Sequence, residues 1–254
     1  MADIYLFSIK KTNKRYEIGI KVDENIYYFK LSEDLLVESR FLSFKNLTDI
    51  EYTAFLNKLP LDSLIFEAEK YVNKKQRSSK EVRDKLKEIT SSDELIDAAI
   101  ASLKKRGLIN DDYFFETYLD YAINTRKDGK VKISSNLSLY GLTNYSFSYP
   151  LDALKKNIRE LTIKFDKQSK DIPYDAKIYK AKAFLQSRGY TEQDISTYFN
   201  PSLLSKPDEE KLFQKDLRKL KLKYKDDIDK LRDSLRKRGY SENLVRTVKE
   251  AEDD

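Results

Sequence analysis

The chain has 254 residues, room for one large domain or several small units around a real core. Hydrophobic residues make up 40%, which excludes a disordered chain, and charged residues reach 36%, well above the usual quarter, as long helices with solvated faces require. A formal charge of +6 fits a polyanionic partner, while zero Cys and zero His exclude disulfides, thiolate zinc sites, cysteine nucleophiles and His-based triads.

The six Gly form no phosphate loop or dinucleotide fingerprint, so no cofactor is expected. No apolar run approaches the roughly 18 residues of a membrane span, and the N-terminus lacks signal-peptide features. The expectation is a soluble, cytoplasmic protein that is not an enzyme.

The first thirty residues read as strands. Ile4, Leu6 and Ser8 alternate with Tyr5, Phe7 and Ile9, and after a polar break Tyr16, Ile18, Ile20 and Val22 alternate with charged or small residues. Asp23-Glu24-Asn25 supplies a turn, and Ile26 to Leu31 completes a predicted three-stranded meander. Ser32 is placed to cap a short helix through Leu36. Thr48, with Glu51 three residues on, has capping-box spacing and opens a helix toward Leu59 that Pro60 punctuates.

From Leu61 the pattern becomes helical and repeats. With Thr90, Gly141, Gly189 and Gly239 as reference positions, Val82, Ile133, Ala181 and Leu231 lie eight residues before. Leu86, Leu137, Leu185 and Leu235 lie four before, and Ile96, Phe147, Ile195 and Val245 six after. Three columns kept through four copies define tandem helical units of about fifty residues. In each, the i, i+4 apolar pair marks one helix face, and Gly is the left-handed residue that ends the helix. Leu142, Tyr190 or Tyr240 then packs back, and Thr143, Thr191 or Ser241 caps the next helix. Thr90 breaks the glycine column, so the first unit turns differently, with Ser91, Ser92 and Asp93 as candidate caps. A further helical stretch precedes each pair: Asp62 to Gln76, Asp111 to Lys127, Ile158 to Gln168 and Asp208 to Leu222. The expected domains are 1–60 (β-meander plus short helices) and helical repeats at 61–109, 110–157, 158–204 and 205–254.

Basic residues beside the repeat turns are the contact candidates. They are Arg77, Lys80 and Arg83; Lys104, Lys105 and Arg106; Arg126, Lys127, Lys130 and Lys132; Arg188; and Arg236, Lys237 and Arg238. Such groups reach phosphates or acidic protein faces, Arg in bidentate geometry, although cations at helix C-termini also complement the dipole. Their recurrence at the turns of one repeat array points to a shared binding face. Tyr113, Phe114, Phe115, Tyr118 and Tyr121 fall at helical spacing and read mostly as core. The acidic pairs Asp111-Asp112 and Asp226-Asp227 read as helix starts, not metal dyads. In Lys219 to Lys225, charges alternate with Leu220, Leu222 and Tyr224, a solvated face with buried partners.

Several segments carry a resemblance. Glu69-Lys70-Tyr71-Val72 through Arg77-Ser78-Ser79-Lys80-Glu81-Val82 is similar to the first repeat of the RecX family. Leu103 to Phe114, with Gly107, the apolar pair Leu108-Ile109 and the acidic pair Asp111-Asp112, resembles that family's passage into its second repeat. Leu231 to Val245 around Arg238-Gly239-Tyr240 is similar to its closing repeat. The sequence departs from the family pattern at Gly129-Lys130, where Gly-Pro is usual, and at Tyr140, where Lys or Arg is common. The N-terminal meander and four-repeat length match the longer, Gram-positive-type members.

The resemblance implies a mainly α protein of tandem three-helix repeats in an elongated, curved array with a small N-terminal β-rich cap. It implies a regulator that binds RecA and its filament, contacts single- or double-stranded DNA, and mainly inhibits ATPase and strand exchange. The expected state is a monomer without metal, cofactor or membrane. The alternative is a helix-turn-helix DNA-binding protein acting without RecA, which needs a recognition helix rich in Arg, Asn or Gln. Ser241 to Glu252 is not strongly of that kind.

Overall fold

The computed structural model describes residues 3–169, 171–225 and 227–248. Asp226 and the end of the stretch Ser241 to Glu252 lie outside the described residues. The predicted meander forms as β1 (Ile4–Lys11), β2 (Tyr16–Val22) and β3 (Asn25–Leu31), antiparallel throughout. A fourth strand, β4 (Lys45–Asn46), pairs with β1, so the sheet order is β3-β2-β1-β4 instead of three strands. Two residues are too few to carry an alternation signal. The register of β1 against β2 shifts between Leu6 and Ser8, leaving Phe7 as the extra residue of a bulge. Ile4, Leu6, Ile18, Ile20 and Leu31 enter a core with Phe41, Leu47, Phe55 and the Leu35-Leu36 pair of α1 (Glu33–Glu38), which Ser32 caps.

Thr48 and Glu51 form the expected capping box, the threonine hydroxyl accepting the Glu51 N–H at 3.1 Å and the carboxylate accepting the Thr48 N–H at 2.9 Å. The helix they open, α2 (Asp49–Val72), runs through Pro60. Phe55 is held in the sheet core, while Leu64, Ala68 and Val72 are held in the next cluster. Packing on both sides of Pro60 thus outweighs its missing N–H and its clash with the preceding turn. The stretch predicted from Asp62 belongs to this helix, and residues 60 and 61 lie in its interior.

α3 (Ser79–Lys87) and α4 (Asp93–Lys105) follow, joined without glycine: Thr90 Oγ1 accepts the Ser92 N–H, and Ser92 caps α4. α5 (Asp111–Asp120) ends in one π-helical turn at Tyr121–Thr125 before α6 (Lys130–Leu139). The third helix expected next does not form. Residues 143–149 have neither helix nor strand, and Thr143 caps nothing. Tyr145, Phe147 and Tyr149 alternate with polar residues instead of following a helical period, and Pro150 disfavours helix just before it. Phe147 is accordingly only half-buried, whereas Ile96, Ile195 and Val245 of its column are buried.

α7 (Leu151–Gln168) begins well before the expected Ile158, so the boundary placed at 157–158 lies within a helix. α8 (Tyr174–Ser187), α9 (Glu192–Tyr198), α10 (Glu209–Tyr224), α11 (Ile228–Arg238) and α12 (Glu242–Arg246) complete the chain, with Thr191, Asp208 and Ser241 capping α9, α10 and α12. On α10, Leu220 is buried but Leu222 is 84% exposed; two residues apart on a helix point to nearly opposite sides. Of the α5 aromatics, Phe114 and Tyr118 are buried, whereas Tyr113 and Tyr121 face solvent.

Two compact units result, Met1–Glu116 with Leu139–Leu142, and Thr117–Ser138 with Thr143–Asp254. The two earlier apolar columns are buried in all four copies. Gly141, Gly189 and Gly239 take φ of 77°, 89° and 92°, the left-handed conformation expected of them. Each also touches the start of an earlier helix. A Cβ on Gly141 would lie 2.8 Å from Lys80 Cβ in α3, one on Gly189 2.4 Å from Lys132 Cβ in α6, and one on Gly239 2.4 Å from Ala176 Cβ in α8. Each glycine turn therefore packs on the second helix of the preceding repeat. Thr90 stands where no earlier helical repeat exists, so no such close approach requires glycine.

Candidate functional site

Three basic candidates of the second unit, Arg126, Lys132 and Arg188, converge on one carboxylate. The π-turn delivers the chain to Arg126, Lys127 enters the left-handed region at φ 56°, and Asp128 turns fully inward. Gly129 then crosses Gly189 so closely that a Cβ would meet the Gly189 carbonyl carbon at 2.2 Å. The Gly129 N–H donates to Arg188 O at 2.8 Å, and the Val131 N–H to Gly189 O at 3.1 Å. This crossing brings Arg126 Nε to 2.8 Å from Asp128 Oδ2, with an Arg188 terminal nitrogen at 3.2 Å and Lys132 Nζ at 3.6 Å from Oδ1. These are close ion contacts without aligned hydrogen bonds to either oxygen. Three cations share one buried anion, so the cluster keeps a positive surplus.

Around it, Arg188 also donates to Arg126 O, Tyr190 Oη to Lys127 O and Tyr149 Oη to Asp128 O. Burial, then the Tyr149 hydroxyl, pushes the Tyr190 phenol far above its ordinary range, so it stays a donor. Beside the cluster a cleft of about 340 Å³ is lined by Arg126, Lys127, Lys164, Arg188, Phe184 and Glu160, among others. Glu160 pairs with Lys127. A positive cleft beside a flat ring can hold an anionic group of a partner.

The last repeat reuses this logic. Arg238 contacts Asp216 Oδ1 at 2.6 Å, and Tyr240 Oη donates to Asp216 Oδ2 at 2.9 Å. Burial again raises the tyrosine pKa, helped by that carboxylate. The sequence Arg-Gly-Tyr thus places an Arg before the left-handed Gly to hold a buried Asp, and a Tyr after it to brace the same carboxylate or the backbone beside it. Asp128 and Asp216 were missed in reading the sequence. The recurrence of Arg-Gly-Tyr at 188–190 and 238–240 was the available signal.

In the first unit the candidates are mostly paired. Arg77 stacks on Tyr71 at 4.1 Å and pairs with Glu81 at 2.8 Å, largely buried. Lys80 pairs with Asp84, Arg83 with Asp97, and Arg106 with Glu69. Lys104 reaches Asp111 at 2.9 Å, and the Ser79 N–H and hydroxyl bind the same carboxylate. Burial pushes Asp111 up, but these donors outweigh it and hold it below its ordinary value. In the second unit, Arg236 pairs with Glu242 and Asp233. Among the described residues, Lys105, Lys130 and Lys237 are exposed candidates without an ion pair.

No family model matches the chain. It is similar along most of its length to proteins named regulatory protein RecX. That of Listeria monocytogenes is 28% identical over 253 residues, covering 94% of this chain and 93% of the relative. Those of Oceanobacillus iheyensis and Levilactobacillus brevis are 27% and 24% identical, covering 74% and 83% of this chain and 71% and 79% of the relatives. A solved structure of regulatory protein RecX shares the fold, with a TM-score of 0.58 at 20% identity over 78% of this chain and 98% of that one.

Proposed function

We propose that the chain acts as a RecX-type regulatory protein, binding RecA on DNA and mainly inhibiting its ATPase and strand exchange. The observation that carries this reading is the end-to-end likeness to RecX proteins, which covers the sheet as well as the repeats. The action is steric and electrostatic. Basic turns contact acidic protein faces or phosphates of the filament and block the entry or movement that strand exchange requires. No covalent step is needed, and a monomer in the cytoplasm suffices.

The paired cations limit which variants can test this. Reversing Arg188 or Arg238 would set a second negative charge against a buried carboxylate and disturb folding. Lys105, Lys130 and Lys237 have no such partner among the described residues, so their charge can be reversed cleanly. The experiment is RecA ATP hydrolysis on single-stranded DNA, titrated with the protein below RecA concentration, with co-sedimentation on preformed filaments. Loss of hydrolysis, weakened in the Lys105→Glu, Lys130→Glu, Lys237→Glu triple variant, is the expected result. Unchanged hydrolysis together with no co-sedimentation would sink the reading. The helix-turn-helix alternative finds little support in α12, whose described helical span is one short turn.

A further inference from the structure

We propose that the outer face of the N-terminal sheet is a stacking platform for single-stranded nucleic acid. The register defines that face. Tyr5, Lys21 and Ile26 lie in one cross-strand row, Ser8, Gly19 and Tyr28 in the next, and Lys10, Glu17 and Lys30 in the third. Ile18, Ile20, Leu6 and Leu31 point the other way into the core.

The outer face is nevertheless aromatic. Tyr28 is 62% exposed and Tyr5 39%. The bulged Phe7 lies over Gly19, where a Cβ would meet its ring at 2.6 Å, and its ring stands edge-on to Tyr28 at 6.0 Å. Gly19 thus leaves room for Phe7 to lie flat across the middle of the sheet and brace Tyr28. Exposing rings in water is unfavourable unless a partner covers them.

Charge decides the class of that partner. Lys10, Lys21 and Lys30 share the face, are exposed and form no ion pair among the described residues, in contrast to the paired cations at the repeat turns. Glu17 is the single acid in the three rows. Rings that accept base faces, interleaved with free ammonium groups that accept phosphates, match an unpaired strand. A duplex hides its base faces within the stack and would leave the rings unused. The proposal stands apart from any action on RecA and is tested without it.

The test is fluorescence anisotropy of a labelled oligothymidylate with the full chain, beside an abasic sugar-phosphate oligomer of equal length. The expected result is weaker binding of the abasic oligomer. Tyr28→Ala and Tyr5→Ala should each weaken oligothymidylate binding about tenfold, while Tyr28→Phe keeps it, because the ring carries the contact. Circular dichroism and the melting temperature verify that the variants fold, which their exposed positions favour. Equal affinity for both oligomers, or ring truncations that leave binding unchanged in folded protein, would overturn the proposal. So would no binding of oligothymidylate at low salt.

Discussion

At the residue scale, the distinction that matters is between cations that hold the fold and cations that are free to act. Arg126, Lys132 and Arg188 surround Asp128, which is fully buried. Removing a buried anion strands its partners, so Asp128→Ala should cost about 3–5 kcal/mol in urea unfolding. Lys237→Glu, on an exposed lysine, should stay within about 0.5 kcal/mol of the parent while weakening the proposed inhibition of RecA. A reversal of these two effects would mean that the wrong cations have been assigned to binding. Gly129→Ala adds a test of the backbone crossing. Its Cβ would fall 2.2 Å from Gly189, so the variant should be destabilised by about 2 kcal/mol or more, in the range of a bad overpacking.

At the element scale, α2 concentrates two opposed effects. The Thr48 backbone N–H first, then the Lys45 ammonium, lower the Glu51 pKa to about 2. A carboxylate depressed on folding contributes stability above its unfolded pKa, near 4.3, and loses it as the pH falls through the folded value. Thermal melts should therefore show a loss between about pH 4 and pH 2 that is smaller in Glu51→Gln. Thr48→Ala should cost about 1 kcal/mol at neutral pH. Pro60 works against the same helix. Pro60→Ala restores an N–H and removes a clash, and should raise stability by about 1–3 kcal/mol in chemical denaturation. An unchanged midpoint would mean that the helix is already bent to suit the proline.

At the scale of the whole molecule, the repeat is a rule of packing as much as of sequence. Gly141, Gly189 and Gly239 each meet the second helix of the repeat before, at Lys80, Lys132 and Ala176. The buried columns and left-handed glycines were readable because they recur at a fixed spacing, and because apolar periodicity and Gly both have direct conformational meaning. Two of the three apolar columns are buried in all four copies, whereas the third fails at Phe147, where local chemistry at residues 143–149 overrides the register. Of the site, the Arg and Lys positions at the turns were legible. Their partners were not: Arg188 finds Asp128 and Arg238 finds Asp216 only after the chain folds back across many residues.

Sequence by itself determined the meander, the mainly helical class, most of the caps, the glycine turns and the likeness to RecX proteins. These rest on local pattern, where neighbouring residues decide the conformation. Tertiary structure alone decided that α2 continues through Pro60, that β4 joins the sheet, and which cations are neutralised and which remain available. It also decided that the aromatic alternation of the first strands leaves Tyr5 and Tyr28 on an open face. Each of these depends on what a residue meets from a distant part of the chain, and burial and pairing with such partners outweigh local preference once the core closes.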